Sequence, residues 1–441
     1  MRLITDLHVH SRFARACSKH LTLPTMAAWA GVKGIDLMGT ADFTHPVWLT
    51  EIQSQLEEAG DGIYQLKPEL RVDLPYAVKK PRPVRFILTH EIATIWKQDG
   101  KLRRMHTILV SPSIEAATAL TEKLKPRGTL GADGRPILGM SSRELAQIAW
   151  SVDERTLVIP AHAWTPWFAV FGSQSGFDSL EECYGDVADR IPAIETGMSS
   201  DPAMNWRISA LDSVALISCS DGHSPDNLGR EATVFNVSDE LSFDLIAQMV
   251  REGSPKFRQQ LTTYNLQLTN SLDYTIEFFP EEGKYHHDGH RVCGVSWRPA
   301  ERKRYQGICT SCGKPVTVGV LSRVDDLADR ELGFKPEGAP GSVSIVPIRD
   351  IASAMIGVGK KSKAVDKLYT SLVTQLGPEF DILLDRPIDQ IAAASSDQFG
   401  EIVSAMRTGD VSMTPGYDGV YGKLQLPDRV ESKQHSLFQS A

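Results

Sequence analysis

The stretch Met1–Arg12, MRLITDLHVHSR, decides how the chain is read. An apolar run here ends in two histidines one residue apart. Side chains alternate faces along a strand, so Ile4, Asp6, His8 and His10 are predicted on one face and Leu3, Leu7 and Val9 on the other. Both imidazoles then point the same way. That makes a metal site only if the rest of the chain supplies partners.

Working outward, apolar runs of strand length alternate with amphipathic stretches as far as residue 255, a β/α pattern. Strands are predicted at 2–10, 36–42, 85–91, 104–111, 157–162, 191–195 and 214–221, with helices at 23–33, 114–124, 142–150 and 241–252. Residues 53–84 and 126–141, dense in Pro, Gly and charge, read as irregular connections. Nearly every strand ends in a residue able to hold a metal: His8 and His10, Asp42, Glu91, His106, His162, Glu195, then Asp221 and His223. In a (β/α) barrel the strand C-termini converge on one rim, and these residues would meet there. Asp221-Gly222-His223 repeats the i, i+2 arrangement of the opening. Imidazoles mixed with carboxylates suit two or three divalent ions (zinc, manganese or magnesium), with Glu91 as a bridging carboxylate. Such ions acidify a water and clamp phosphate oxygens during in-line displacement, so phosphoester hydrolysis is the chemistry implied.

Composition sets bounds on this reading. A chain of 441 residues exceeds the usual span of one hydrophobic core, so several domains are expected. The formal charge of -8 excludes a uniformly basic coat, although a local basic patch remains compatible with it. No apolar run reaches the roughly 18 residues of a membrane span and no secretory segment stands at the N-terminus, so a cytoplasmic protein is expected. Six cysteines are too sparse for a disulfide framework. Cys17, Cys183 and Cys219 are scattered and read as small core residues, whereas Cys293, Cys309 and Cys312 cluster near several histidines.

The metal-ligand spacing resembles the PHP (polymerase and histidinol phosphatase) superfamily of phosphoesterases. That family carries an H-x-H near the N-terminus, a T-D-H after the second strand, isolated Glu and His ligands, and a terminal D-x-H. The matching residues are His8-Val9-His10, Glu91, His106, His162 and Asp221-Gly222-His223. One element departs. Where T-D-H would stand the chain reads Ala41-Asp42-Phe43, leaving Asp42 or His45 for that role, with Asp42 favoured. Glu195 reads either as a base beside the ligands or as a loop carboxylate. Trp164, Trp167 and Phe168, just past His162, are either core fillers or stacking surfaces for bases.

Further on, His290-x-x-Cys293 and Cys309-x-x-Cys312 have the spacing of a tetrahedral structural zinc ribbon. His286 and His287 compete with His290 for the fourth position, and spacing favours His290. Between the two knuckles lies a basic run, in which Arg302 and Arg304 are candidate phosphate contacts. Residues 348–372, IRDIASAMIGVGKKSKAVDKLYTSL, read as helix, Gly357-Val358-Gly359, then a second helix opening with Lys360 and Lys361. This helix-hairpin-helix pattern would let backbone N–H groups approach a DNA phosphate.

Over essentially its full length the chain is similar to the endonuclease Q family, through ADFTHP, ETGMSSDPAMN, SDGHSPDNLGREA and YHHDGHRVCG. The resemblance implies a PHP-type distorted (β/α)7 barrel at 1–255, a linker and zinc ribbon at 256–325, a helical DNA-binding domain at 326–429 and a tail at 430–441. It also implies nicking of DNA 5′ of uracil, hypoxanthine, xanthine or abasic sites. Asp221, His223 and Glu91 are read as the catalytic residues, with Asp221 and His223 the most rate-sensitive ligands. Such an enzyme reads an edge that pairing conceals, so the base must leave the stack. Two other readings stand beside it: a small-molecule phosphomonoesterase on the same barrel, and a DNA-binding module without catalysis. In the tail, Gln434, Leu437 and Phe438 have the flavour of a sliding-clamp peptide.

Overall fold

A computed structural model describes residues 1–264 and 266–425. The expected tail and its clamp-like peptide lie outside the described residues. The chain is a mixed α/β structure with one large sheet and many helices. In chain order its strands are β1 (Arg2–Asp6), β2 (Leu37–Gly39), β3 (Leu56–Gly60), β4 (Ile63–Leu66), β5 (Arg85–Gln98), β6 (Lys101–Ser111), β7 (Ile137–Leu138), β8 (Leu157–Pro160), β9 (Ala193–Glu195), β10 (Ala215–Ile217), β11 (Ala232–Asn236), β12 (Ser271–Phe278), β13 (Asp288–His290), β14 (Val295–Trp297) and β15 (Gly341–Ile345). A last small pair, β16 (Ser412–Thr414) and β17 (Lys423–Gln425), follows.

The large sheet runs β15-β12-β11-β1-β2-β5-β4-β3, with β6 pairing β5 and β8, and β7 pairing β5. The first two crossovers are parallel (β1 with β2, β2 with β5), whereas β5 with β6, β6 with β8, and β1 with β11 are antiparallel. Among the described residues β9 and β10 form a separate parallel pair, so the ladders do not close on themselves. Each strand nevertheless feeds two cores by alternation. Leu3, Leu37, Ile87, Ile108, Ile159, Ala193 and Ile217 share one apolar cluster. Ile4, Met38, Phe86, Leu88, Leu109, Val158, Ile194 and Leu216 pack into the other, together with the helices.

Several expectations are corrected. Residues 85–91 and 104–111 are not separate β/α strands but parts of one long antiparallel hairpin, β5–β6. Its turn is Asp99-Gly100, with φ of 51° and 75°, the mirror-image turn that matches strand twist. That dipeptide is the signal the alternation count passed over. Residues 53–84, expected to be irregular, hold β3 and β4, which turn at Asp61-Gly62. β12 and β15, beyond residue 255, extend the large sheet by pairing in parallel with each other and through β11 to β1. The helix Leu23–Lys33 starts and stops as expected, capped by Thr22 and by Gly34 in the left-handed region.

A buried ion pair ties this helix to the C-terminal segment. Lys33 Nζ lies 2.6 Å from Glu379 Oε2, and Glu379 also accepts from Ile348 N and from the Tyr369 hydroxyl, both at 2.9 Å. Among the described residues no helix is long and apolar enough to cross a membrane.

Candidate metal centre

β1, β2, β8 and β10 prove shorter than the runs that suggested them, and their candidate ligands stand just past their ends, whereas Glu91 and His106 lie within the long β5 and β6. β1 stops at Asp6, and the alternation breaks there: Val9 joins the apolar cluster of Ile4 instead of that of Leu3 and Leu7. His8 and His10 are therefore aimed by the loop, not by strand parity. Asp6 fixes that loop by accepting from Ser220 N and Gly229 N, each at 3.0 Å, while His10 N donates to Gly222 O at 3.3 Å. The H-x-H and D-x-H segments are thus bound backbone to backbone. At the neighbouring strand ends Ala41, Asp42, His162 and Asp221 take φ of 62°, 41°, 30° and 46°. Non-glycine residues in that region carry strain, and here it gathers where side chains turn inward.

Glu91 lies at the centre. Its Oε2 stands 3.5 Å from His8 Nε2 and 3.3 Å from His10 Nε2, while its Oε1 stands 2.7 Å from His106 Nδ1 and 3.2 Å from His162 Nε2. The β5–β6 register explains this, since Ala93 opposes His106 and puts Glu91 on the same face two residues away. Asp221 Oδ1 completes the first side, 2.9 Å from His10 Nε2 and 3.7 Å from His8 Nε2. Two candidate ligand sets result, His8/His10/Glu91/Asp221 and Glu91/His106/His162, each with its donor atoms within 4.8 Å of one another and both sharing Glu91.

The donor set fits divalent cations. His8 and His10 are 1% and 0% exposed, and among the described residues His8 Nε2 has no hydrogen-bond partner although it faces two carboxylates. A buried polar atom left so is expensive unless something else fills its place. Burial opposes charging of both imidazoles, yet Glu195 and Glu91 around His8, and Asp221, Asp42 and Glu91 around His10, hold them well above the usual value. Burial likewise opposes ionising Glu91, but Arg135, His106 and His8 keep its carboxyl well below the ordinary range. Burial pushes His106 down to about 4 against the pull of Glu91.

The remaining candidates divide. Glu195 has both carboxylate oxygens 3.0 Å from His8 Nδ1, and its Oε2 also accepts from His162 N at 2.6 Å. It orients two ligands and has no place in either set. Asp42 stands behind His10, with Oδ1 3.5 Å from Nδ1, and its Oδ2 accepts from Ser11 N and the Ser11 hydroxyl. It is outside both sets too, in contrast to the ligand expected there. His45 caps the helix Pro46–Gln55, accepting from Trp48 N at 3.4 Å and stacking on Phe13 at 4.1 Å, and it belongs to neither set. His223 lies at the rim, its ring 4.6 Å from that of His10 and its Nδ1 2.7 Å from the Asp221 carbonyl. Trp164 is buried, with Nε1 donating to Asn205, whereas Trp167 is partly exposed beside Tyr285.

Sequence reasoning missed Arg135. Its Nη1 donates to Glu91 Oε2 at 2.9 Å from the loop that had looked irregular. No ligand-like pattern marks it.

At the second locus, His290, Cys293, Cys309 and Cys312 bring their ligand atoms within 4.8 Å around the β13–β14 hairpin. His287 instead pairs with the Ser296 hydroxyl and His286 is buried apart. Three thiols and an imidazole in a tetrahedral-sized cluster suit zinc. Of the candidate phosphate contacts, Arg302 is engaged by Asp326 and Lys360 by Asp350. Arg304 and Lys361 are exposed. The second helix begins at Lys363, capped by Ser362, so Lys360 and Lys361 belong to the turn and not to the helix they were expected to open. Gly357 ends the first helix with φ of 77°, and among the described residues nothing stands within 4 Å of where a Cβ on Gly359 would lie.

Comparison with known proteins bears on these sites. Residues 347–410 match the family model described as the MJ0043 C-terminal domain. An uncharacterised protein of Methanocaldococcus jannaschii is 29% identical over 273 residues, which is 61% of this chain but 32% of that protein. A solved lesion-specific endonuclease from Pyrococcus furiosus superposes with a TM-score of 0.82 at 29% identity, covering 99% of this chain and 98% of that one. A structure of endonuclease Q with a 27-mer duplex substrate carrying an abasic lesion at the active site gives a TM-score of 0.82 at 30% identity, covering 99% and 100%.

Proposed function

This chain belongs to the endonuclease Q family, and on that premise we propose that it is a metal-dependent DNA endonuclease that nicks 5′ of deaminated or damaged bases: uracil, hypoxanthine, xanthine and abasic sites. The observation that carries the reading is the convergence of two ligand sets on one carboxylate, Glu91, from residues scattered over two hundred positions of sequence. His8, His10, Glu91 and Asp221 would hold one ion, and Glu91, His106 and His162 another, with His223 at the rim within reach of the first. Divalent ions so placed supply an acidified water and a positive clamp for phosphate oxygens. Hydrolysis adds water across the P–O3′ bond, leaving a 3′-hydroxyl upstream and a 5′-phosphate on the lesion-bearing fragment.

The chain's own groups set up that chemistry. Glu195 fixes the tautomer of His8 by accepting from Nδ1, which turns Nε2 inward. Asp42 places a carboxylate behind His10, with Oδ1 3.5 Å from Nδ1. The same reading takes the strand ends of 1–255 as the rim of a PHP-type barrel. A zinc-bound ribbon within 256–325 and the Gly357–Lys361 turn within 326–429 then contact the flanking duplex. Extruding a mispaired or missing base costs least, so part of the selectivity lies in the DNA itself.

The test is cleavage of a uracil- or abasic-site duplex, beside an undamaged control, by protein loaded with manganese or magnesium. A single nick 5′ of the lesion is expected, absent from Asp221→Ala although that variant still binds the lesion duplex. Nicking retained by Asp221→Ala, or no cleavage by the native protein, would overturn the assignment.

A further inference from the structure

Arg135 is anchored more firmly than its irregular loop suggests. Asp133 Oδ1 accepts from both Arg15 N and Arg135 N at 3.0 Å, and Gly134 N donates to Phe13 O at 2.9 Å. A Cβ on Gly134 would stand 2.3 Å from Asp42 Oδ2 and 2.6 Å from Ala14 N, so only glycine lets the loop lie this close. On the other flank Pro136 O accepts from Ala93 N, and β7 pairs with β5, the strand that carries Glu91. The guanidinium is therefore held at the centre from both sides, with its side chain 24% exposed toward solvent.

We propose that Arg135 is a phosphate-contacting residue of this site, pairing with Glu91 in the free protein and with the non-bridging oxygens of the scissile phosphodiester when substrate is bound. The proposal deepens the endonuclease reading and rests on it. Glu91 Oε2 serves His8 Nε2, His10 Nε2 and Arg135 Nη1 at once, within 3.5, 3.3 and 2.9 Å. A cation seated among those ligands competes for the lone pairs that now hold the guanidinium. An arginine stays charged in any surroundings, and its planar fork matches two oxygens of a phosphate. A guanidinium already fixed beside the reacting group stabilises charge without reorganising.

The experiment compares manganese-loaded native protein, Arg135→Gln and Arg135→Lys in three measurements: bound manganese, affinity for inorganic phosphate by calorimetry, and single-turnover nicking of an abasic-site duplex at saturating DNA. Manganese content is expected to be equal in all three. Phosphate affinity should fall about tenfold in Arg135→Gln and less in Arg135→Lys, and nicking should fall about 10²-fold in Arg135→Gln. Arg135→Lys retains the positive charge beside Glu91, so it remains informative if Arg135→Gln folds poorly. Unchanged phosphate affinity in both variants would overturn the proposal, as would a loss of manganese that accounts for the whole decline. If the native protein fails to nick but loses phosphate affinity on substitution, the endonuclease reading falls and the role of Arg135 stands.

Discussion

Replacing Glu195 tests whether the metal centre is organised from behind. Glu195→Ala leaves a buried donor, His8 Nδ1–H, and a partly buried one, His162 N–H, without the acceptor they now share at 3.0 and 2.6 Å. Each orphaned donor costs about 1–3 kcal/mol, and the cost falls on the geometry of a ligand in each set. Loss of a partner that orients a ligating histidine weakens metal binding by about 10–100-fold, or about 1.4–2.7 kcal/mol. Glu195→Gln keeps one acceptor oxygen but removes the charge that about doubles the hydrogen bond, so a loss of about tenfold is expected. Manganese titration against a competing chelator reads the affinity, and circular dichroism checks that the fold persists. Native affinity in Glu195→Ala would refute the reasoning, since both oxygens would then be irrelevant to how His8 presents Nε2.

Other consequences follow from buried charge and from the ribbon. Lys33→Met leaves Glu379 ionised and buried without its counter-charge, the pair being 2% and 4% exposed, and should cost about 3–5 kcal/mol in guanidinium unfolding; an unchanged midpoint would contradict it. Burial raises the Glu277 carboxyl to about 8, beside Glu231, which burial and Glu277 also raise. The stability gained from protonated Glu277 is full below about 4.5 and lost as pH rises through about 8. Glu277→Gln should therefore flatten the decline between those values in thermal melts, and parallel pH profiles would dismiss it. Cys309→Ser should lower the tightly held zinc by one equivalent and change the fluorescence of Trp297, which packs with Cys309 and Val316; identical zinc content would dispose of the ribbon.

How much of this was legible in the sequence depended on range. His8-x-His10 and Asp221-x-His223 announced themselves because their partners are two residues away. Glu91, His106 and His162 were visible as polar endings of apolar runs, and the Cys and His knuckles by spacing. The long β5–β6 hairpin was not read, although Asp99-Gly100 marks it, because the strands predicted at 85–91 and 104–111 left the turn and the strand ends beside it outside both. Pairing of residues 341–345 with β12 is set by register across a long connection, which periodicity does not carry. Asp42 and His45 could be told apart only by distances, one standing behind His10 and the other capping a helix. Arg135 gave no signal because the close approach of Gly134 and the β7 pairing that deliver it are tertiary.

Anomalous scattering from crystals of the manganese-loaded protein tests the central claim most directly. Ions are expected on both sides of Glu91, one touched by His8, His10 and Asp221 and the other by His106 and His162. Manganese bound elsewhere, with these residues contacting only each other and Arg135, would contradict the account.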